Sequence, residues 1–286
     1  MNYRKAVISV LIVFLSVYGS YAAAKKRKVP ERVQQPPDIT RIIKKGKLVV
    51  AMTAADQAPF FFVNSRGVLT GLDVKIAREI ADRLGVEVQF DRSAKSFDDV
   101  VTNVAEGKAD AAISKLSRTL PRAKKVRFST PYITFRHGLL LNRLNTARVI
   151  QELKVSEKEY IRRFTGRIGV IEHSSYETFA RTNFPYAGIV SYPEWADVLN
   201  AVRVGAIDAA YRDELEIKKY LRLYPDASVK VKTVLITDKT DSIAIAVRWD
   251  DDNLLAFINM IIESGTFPSK TEDILELYAD IFLTGK

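Results

Sequence analysis

Asp99-Val100-Val101-Thr102-Asn103-Val104-Ala105-Glu106-Gly107-Lys108-Ala109-Asp110-Ala111-Ala112 decides the fold, because its pattern returns 98 residues later as Asp197-Val198 through Asp208-Ala209-Ala210. Asp99, Val100, Val104, Gly107, Asp110, Ala111 and Ala112 coincide with Asp197, Val198, Val202, Gly205, Asp208, Ala209 and Ala210. Each copy has the apolar spacing of an amphipathic helix, then a glycine that stops it, then a short apolar strand. That is one winding unit of a parallel α/β sheet, and two such units predict two similar lobes. Ligands of open α/β sheets sit beyond the carboxyl ends of the strands. The segments that follow the echoes, from Ser114 and from Arg212, are therefore expected to face one cleft.

The rhythm extends on both sides of the first copy. Leu48 to Met52 is a buried strand, and Phe60-Phe61-Phe62-Val63 leads into a turn at Asn64 to Gly67. Ile76, Ala77, Ile80, Ala81 and Leu84 recur at helical spacing, with Asp73 positioned to cap the start and Gly85 to end the helix. Val86 to Phe90 alternates as a strand, Phe97 to Glu106 is the next helix, and Ala109 to Ile113 is the strand of the first echo.

Residues 1–24 have the layout of a secretory signal: Arg4 and Lys5, an apolar run from Ala6 to Gly19, then Ser20-Tyr21-Ala22-Ala23-Ala24. The apolar run is short for a membrane span, which needs about 20 residues. Residues 25–45 read as a basic, proline-rich leader. Its Lys25-Lys26-Arg27-Lys28-Val29 run has the composition of a nuclear import signal but follows an export signal directly, and Gln34-Gln35-Pro36-Pro37 follows it. The 286-residue chain has a formal charge of +10, which falls to +8 without Arg4 and Lys5. Such a surface suits anionic envelopes or small anions and does not by itself indicate nucleic acid. No cysteine occurs, so disulfides, thiolate metal sites, cysteine nucleophiles and a lipid-modified cysteine are excluded. With only His137 and His173, and with no P-loop, nucleophile elbow or dinucleotide glycine pattern, no metal and no cofactor are expected.

An ordered set of segments resembles the extracellular solute-binding proteins of polar amino acid importers, family 3. The segments are Gly46-Lys47-Leu48-Val49-Val50, Ala58-Pro59-Phe60, Gly71-Leu72-Asp73-Val74 with Ala77, Gly107 to Ala111, Ser117-Arg118-Thr119-Leu120-Pro121-Arg122 and Phe128-Ser129-Thr130-Pro131-Tyr132. Gly166 to Val170, Gly205 to Asp213, Ile243 to Val247 and Leu254 to Asn259 complete it, so the resemblance spans nearly the whole chain beyond the leader. It implies a type II periplasmic-binding-protein-like α/β fold of two lobes with a hinge of two crossing strands. Lobe 1 would comprise 46–138 plus 242–286, and lobe 2 139–241. Leu139 to Asn142 would be the first crossing and Val231 to Ile236 the return. The helix carrying Leu254, Phe257, Ile258 and Ile261 would return to lobe 1.

The resemblance also implies site residues. Arg122 would grip a ligand α-carboxylate with its planar fork, and Ser114 and Ser117 would present polar groups to the same end. Asp213 would take the α-ammonium, although its position before Glu214-Leu215-Glu216-Ile217 also suits a helix N-cap. Ser175 would meet the carboxylate from lobe 2 at a helix start, while Ser174 and Glu177 have capping-box spacing. Phe97 would cover the ligand side chain, and its position equally suits a core residue. Three positions depart from the family: Gln57 stands where an aromatic often stacks on the ligand, His173 replaces a small residue near the lobe 2 anion site, and Lys115 replaces a small polar residue between the two serines. Lys115 and Arg118 with Gln57 favour an acidic or polar amino acid, or a related carboxylate, over lysine or arginine.

The implied function is the periplasmic solute-binding component of an ABC importer, a monomer without enzymatic activity, with an amino acid or related carboxylate as ligand and a membrane permease as partner. Two alternatives stay open. The same fold hosts an exported cyclohexadienyl or prephenate dehydratase, for which Glu172 and His173 are the candidate acid pair, and it also hosts input proteins for membrane receptors.

Overall fold

The computed structural model describes residues 35–284. The expected signal segment and the basic run after it lie outside the described residues. Twelve strands form among the described ones: β1 (Lys47–Thr53), β2 (Phe62–Val63), β3 (Leu69–Thr70), β4 (Glu87–Ala94), β5 (Ala111–Ala112), β6 (Arg127–Phe128), β7 (Ile133–Asn142), β8 (Arg167–Ile171), β9 (Gly188–Tyr192), β10 (Ala209–Asp213), β11 (Val231–Ile243) and β12 (Ala246–Val247). They assemble into one five-stranded sheet in the order β4-β1-β5-β12-β6, a second in the order β11-β7-β10-β8-β9, and the β2-β3 ribbon. Helices pack on both large sheets, giving the two α/β lobes expected.

The two echoes are one structural unit built twice. Phe97–Ala105 and Trp195–Arg203 are nine-residue helices, and the glycines behind them, Gly107 and Gly205, turn the chain with φ of 72° and 78°, a region open to glycine at no steric cost. The repeated aspartates then seal the next strand. Asp110 accepts a hydrogen bond from the Val49 amide at 2.9 Å, and Asp208 accepts one from the Arg167 amide at 2.7 Å. In each lobe the echoed strand lies parallel to the strand so bound, β5 on β1 and β10 on β8. An echo of helix, glycine, aspartate and two alanines therefore encodes the entry of a strand into the middle of a sheet.

The lobes are joined by long strands. β7 and β11 pair antiparallel from Asn142 with Val231 to His137 with Ile236, and again from Arg136 with Thr240 to Ile133 with Ile243, with the register broken between Ile236 and Thr240. Both expected crossing segments lie in these two strands, and the expected lobe limits at 138/139 and 241/242 fall inside them.

Two local expectations are corrected. Pro37–Lys45, assigned to the leader, is a helix ended by Gly46 in the left-handed conformation, and its Ile42 is buried in the core of lobe 1. Asp38 of this helix accepts the Asn253 and Leu254 amides at 2.8 and 2.9 Å and so caps the helix Asp252–Glu263, while Arg41 clasps Asp251 through two bonds of 3.0 and 2.9 Å. A sequence scan for apolar runs passes over a short helix that buries Ile42, packs Ile39 against the same core and adds a set of polar anchors. Asp73 does not cap its helix, Leu72–Leu84, either. The N-cap is Gly71 at φ 124°, and Asp73 lies inside the first turn with no exposed surface. Gly85 closes that helix as expected.

Gly71 has no room for a side chain. A Cβ there would lie 2.2 Å from the Phe60 carbonyl oxygen. Gly71→Ala is therefore expected to lose about 1–3 kcal/mol to backbone strain alone, plus the cost of the clash, visible as a drop of several degrees in melting temperature by calorimetry.

Leu254, Ile258 and Ile261 return to lobe 1 as expected and join one core with Leu48, Val50, Phe60 and Ile80, with Phe257 packed against it. Each such side chain contributes about 1.5–3 kcal/mol on burial. Leu215, from the helix Glu214–Leu223 beyond β10, enters the same core, so side chains from both lobes meet there.

Candidate functional site

The loop after β5 carries the first cluster. Ser114 is buried and its hydroxyl accepts the Thr53 amide at 3.1 Å, so it staples the ends of β1 and β5 and lines neither cavity of the cleft. The next residue, Lys115, adopts φ 46°, a left-handed conformation uncommon for a long side chain. Asp73 holds it there. One carboxylate oxygen accepts the Lys115 amide at 2.6 Å and the other accepts the Tyr132 hydroxyl at 2.8 Å.

This bracket sends the Lys115 side chain across the cleft, where its ammonium lies 5.2 and 5.6 Å from the ring centres of Phe60 and Phe135. Its ammonium reaches Asp213 Oδ2 at 3.0 Å and Glu216 Oε1 at 2.9 Å. The three side chains are 3%, 2% and 3% exposed. Lys115 and Asp213 are themselves 98 residues apart, the offset of the echo, so equivalent positions of the two units meet in a buried ion pair. The segments after the two echoes thus do face one another. Asp213 also fulfils the capping expectation, since its Oδ1 accepts the Glu216 amide at 3.0 Å. The cation that it holds is the chain's own.

Around this pair the charges interlock. Burial favours a neutral Glu216, but Lys115, Lys219 and Arg212 outweigh it and hold that carboxyl below its usual range. Lys219 meets Glu216 Oε2 at 2.6 Å and donates to the Ala58 carbonyl of the other lobe at 2.9 Å. Ser117 and Ser175 meet from opposite lobes at 2.8 Å, and the Ser117 hydroxyl donates to Asp241 at 2.8 Å. Asp241 is pushed up to about 6 by burial, against the Ser117 hydrogen bond, and its second oxygen is buried without a hydrogen-bond partner among the described residues. Arg122, 5% exposed, donates from Nε to Asp98 at 2.9 Å and from Nη1 to the Ser117 carbonyl at 3.2 Å, with Phe97 6.0 Å from its guanidinium.

Two cavities lie between the lobes. The inner one, about 20 Å³, is bordered by Arg122, Ser117, Ser175, Lys115, Asp213 and Asp241 and has room for about one water. The outer one, about 460 Å³, is walled by Gln57, Glu172, His173 and Trp195. Phe97 and Arg212 border both. Arg212 lies 5.3 Å from the Trp195 ring and donates to Gln57 Oε1 at 3.2 Å. This repeats in lobe 2 the pairing of Arg122 with Phe97 in lobe 1, and Phe97 and Trp195 open the two echoed helices.

Of the expected site residues, Arg122, Asp213, Ser117, Ser175, Phe97 and Lys115 surround the inner cavity, while Gln57 and His173 border the outer one with Phe97. Arg118 is exposed and borders neither. The expected box of Ser174 and Glu177 does not form. The Ser174 hydroxyl donates to the Ile171 carbonyl at 2.6 Å, and Glu177 accepts the His173 amide at 3.0 Å. Positive φ at His173, 54°, brings that amide within reach. Trp195, Glu216 and Asp241 were not expected, and Arg212 was expected only as the start of a segment facing the cleft. The echo carries the signal for Trp195, through Phe97, but none for Asp241, which enters on the returning hinge strand.

The Asp73 bracket has a pH signature. Burial pushes its carboxyl up to about 7, against the bonds from Lys115 and Tyr132. A carboxyl raised in the folded state adds stability that is complete below its unfolded value of about 3.9 and is lost as pH rises through about 7. Asp73→Asn removes that titration. The wild type is expected to lose melting temperature relative to the variant between pH 4 and pH 7; a constant difference measured by scanning fluorimetry would contradict the assignment.

The comparisons agree with this architecture. The chain is 25% identical over 209 residues to ABC transporter arginine-binding protein 1 of Escherichia coli, spanning 72% of this chain and 80% of that one. It is 27% identical over 192 residues to the cyclohexadienyl dehydratase of Pseudomonas aeruginosa, spanning 67% and 68%. A crystal structure of an amino acid ABC transporter substrate-binding protein from Streptococcus pneumoniae, bound to L-arginine, superposes with a TM-score of 0.64 at 27% identity, over 85% of this chain and 97% of that one. The two-lobed α/β fold expected of type II periplasmic binding proteins is thus the fold found. The model of the bacterial extracellular solute-binding proteins, family 3, matches residues 48–278, and the chain belongs to that family.

Proposed function

We propose that this chain is the exported solute-binding subunit of an ABC importer, and that it closes on a small carboxylate solute, a polar or acidic amino acid or a related acid, handing it to a membrane permease. The observation that carries the reading is Arg122, a buried guanidinium on the lobe 1 side of a cleft whose other wall supplies Ser175. A planar fork in a dry site recognises a carboxylate through two parallel bonds. Hinged lobes that each hold part of the site close by as much as the ligand prefers the closed state. The cations Lys115 and Arg212 around the cleft oppose a ligand with a cationic side chain, so glutamate is expected to bind more tightly than lysine or arginine, although the relatives include arginine-binding proteins.

The test is a thermal-shift screen of the protein, unfolded and refolded to strip carried-over solute, against the amino acids and small carboxylic acids. A ligand at one hundred times its Kd adds about 2.7 kcal/mol of stability. A selective shift by one carboxylate solute is expected, and tighter binding of lysine than of glutamate contradicts the specificity.

A second reading has one observation behind it. Glu172 and His173 border the outer cavity, and one relative is a dehydratase. Release of phenylpyruvate from prephenate, lost in His173→Ala, would establish it.

A further inference from the structure

We propose that Lys115 is a built-in ammonium occupying the cleft's amine subsite, so that the solute of this chain is a carboxylate without an α-ammonium. The inference rests on the solute-binding reading above and narrows it.

Asp213 borders the inner cavity together with Arg122, and it is the acid that the family resemblance implies for an amino acid's ammonium. One of its oxygens is committed to the Glu216 amide and the other to Lys115 Nζ, with Arg212 Nε 3.8 Å away. Glu216 is likewise held between Lys115 and Lys219. An incoming ammonium has to expel the Lys115 ammonium from this pocket. Lys115 is held against leaving: Asp73 binds its amide in a left-handed backbone conformation, and its ammonium lies beside the rings of Phe60 and Phe135 with both Asp213 and Glu216 in contact. A buried cation that gives up one of its two carboxylates loses much of what compensates its desolvation, so the exchange penalises the amine-bearing ligand.

The pairing of Arg122 points the same way. Lys115, Arg122, Arg212 and Lys219 are four largely buried cations, and Asp73, Asp213, Glu216 and Asp241 are four buried carboxylates near them, but none of the four forms an ion pair with Arg122. Asp98, its ion-pair partner, is 58% exposed and screened by water. Arg122 is thus the buried cation left for a ligand carboxylate. Asp241 offers a buried acceptor to a ligand hydroxyl or to water. Phe97 and Trp195, each beside an arginine, border the outer cavity, where they could flank the body of a solute.

The experiment compares pairs that differ only by the amine: succinate with aspartate, glutarate with glutamate, and 3-phenylpropanoate with phenylalanine, each titrated calorimetrically into the stripped wild-type protein and into Lys115→Ser. The wild type is expected to bind at least one amine-free acid about tenfold or more tightly than its amino acid. In Lys115→Ser, whose Asp213 lacks its ammonium, the preference is expected to narrow or invert, because the amino acid now supplies the missing cation. Should that variant fail to fold, the wild-type ratios decide. An amino acid bound by the wild type as tightly as its amine-free partner overturns the inference and leaves the solute-binding reading intact; Asp241→Asn would then show whether Asp241 takes the ammonium. Absence of heat with every member, in wild type and variant alike, overturns the carboxylate reading itself and this inference with it.

Discussion

Arg122→Ala is expected to weaken binding of the carboxylate solute by at least about a hundredfold, measured by calorimetry with whichever acid the wild type selects. A carboxylate that closes into a dry cleft without its cation bears the cost of an unpaired buried charge, about 3–5 kcal/mol, and every 1.4 kcal/mol is a factor of ten in Kd. Arg122→Lys separates charge from geometry. It keeps the cation but not the fork, so an intermediate loss is expected if two parallel bonds are formed. The structure also gives Arg122 an architectural task, through Asp98 and the Ser117 carbonyl, so the melting temperature of each variant has to be recorded alongside. Unchanged affinity in a folded Arg122→Ala protein would remove Arg122 from the site.

The second large effect concerns stability. Lys115→Met deletes the cation shared by Asp213 and Glu216 while keeping most of the side-chain volume beside Phe60 and Phe135. Glu216 retains Lys219, but Asp213 is left as a buried carboxylate with Arg212 3.8 Å away. Removing one partner of a buried pair costs about 3–5 kcal/mol, which for a chain of this size lowers the melting temperature by roughly 6–20 °C. Adding Asp213→Asn is expected to restore part of the loss. Asparagine still caps the helix Glu214–Leu223 and leaves no unpaired charge. Denaturant titrations of the two single variants and the double variant give the coupling directly. A Lys115→Met protein as stable as the wild type would show that the ion pair is energetically idle.

Much of this arrangement is legible in the sequence because it depends on local pattern. The echo specifies two strand-entry units, and with them the meeting of the segments after β5 and β10. Arg122, Ser117 and Ser175 were expected in the cleft and border it. What escaped is what depends on side chains meeting across the chain. Asp73 reads as a cap because an acid near a helix start commonly is one, and only the fold reveals that it faces Lys115 and Tyr132 instead. Lys115 reads as a cation for the ligand's side chain because its left-handed backbone, which aims it at Asp213, leaves no mark in the sequence. The helix carrying Ile42 does leave marks, with Pro37 at its start, Gly46 at its end and Ile39, Ile42 and Ile43 at helical spacing, but they are short and adjoin a basic, proline-rich run that reads as leader up to Gly46.

β12 carries a consequence for synthesis. Its two residues lie between β5 and β6 in the first sheet, yet they follow the whole of the second lobe in the chain. A nascent polypeptide can assemble the second sheet from consecutive material, but the first stays split, β4-β1-β5 on one side and β6 on the other, until its final stretch leaves the ribosome. Closure of the amino-terminal lobe's sheet therefore waits on a pairing between residues more than 130 positions apart, the kind of contact whose loop-closure cost slows folding.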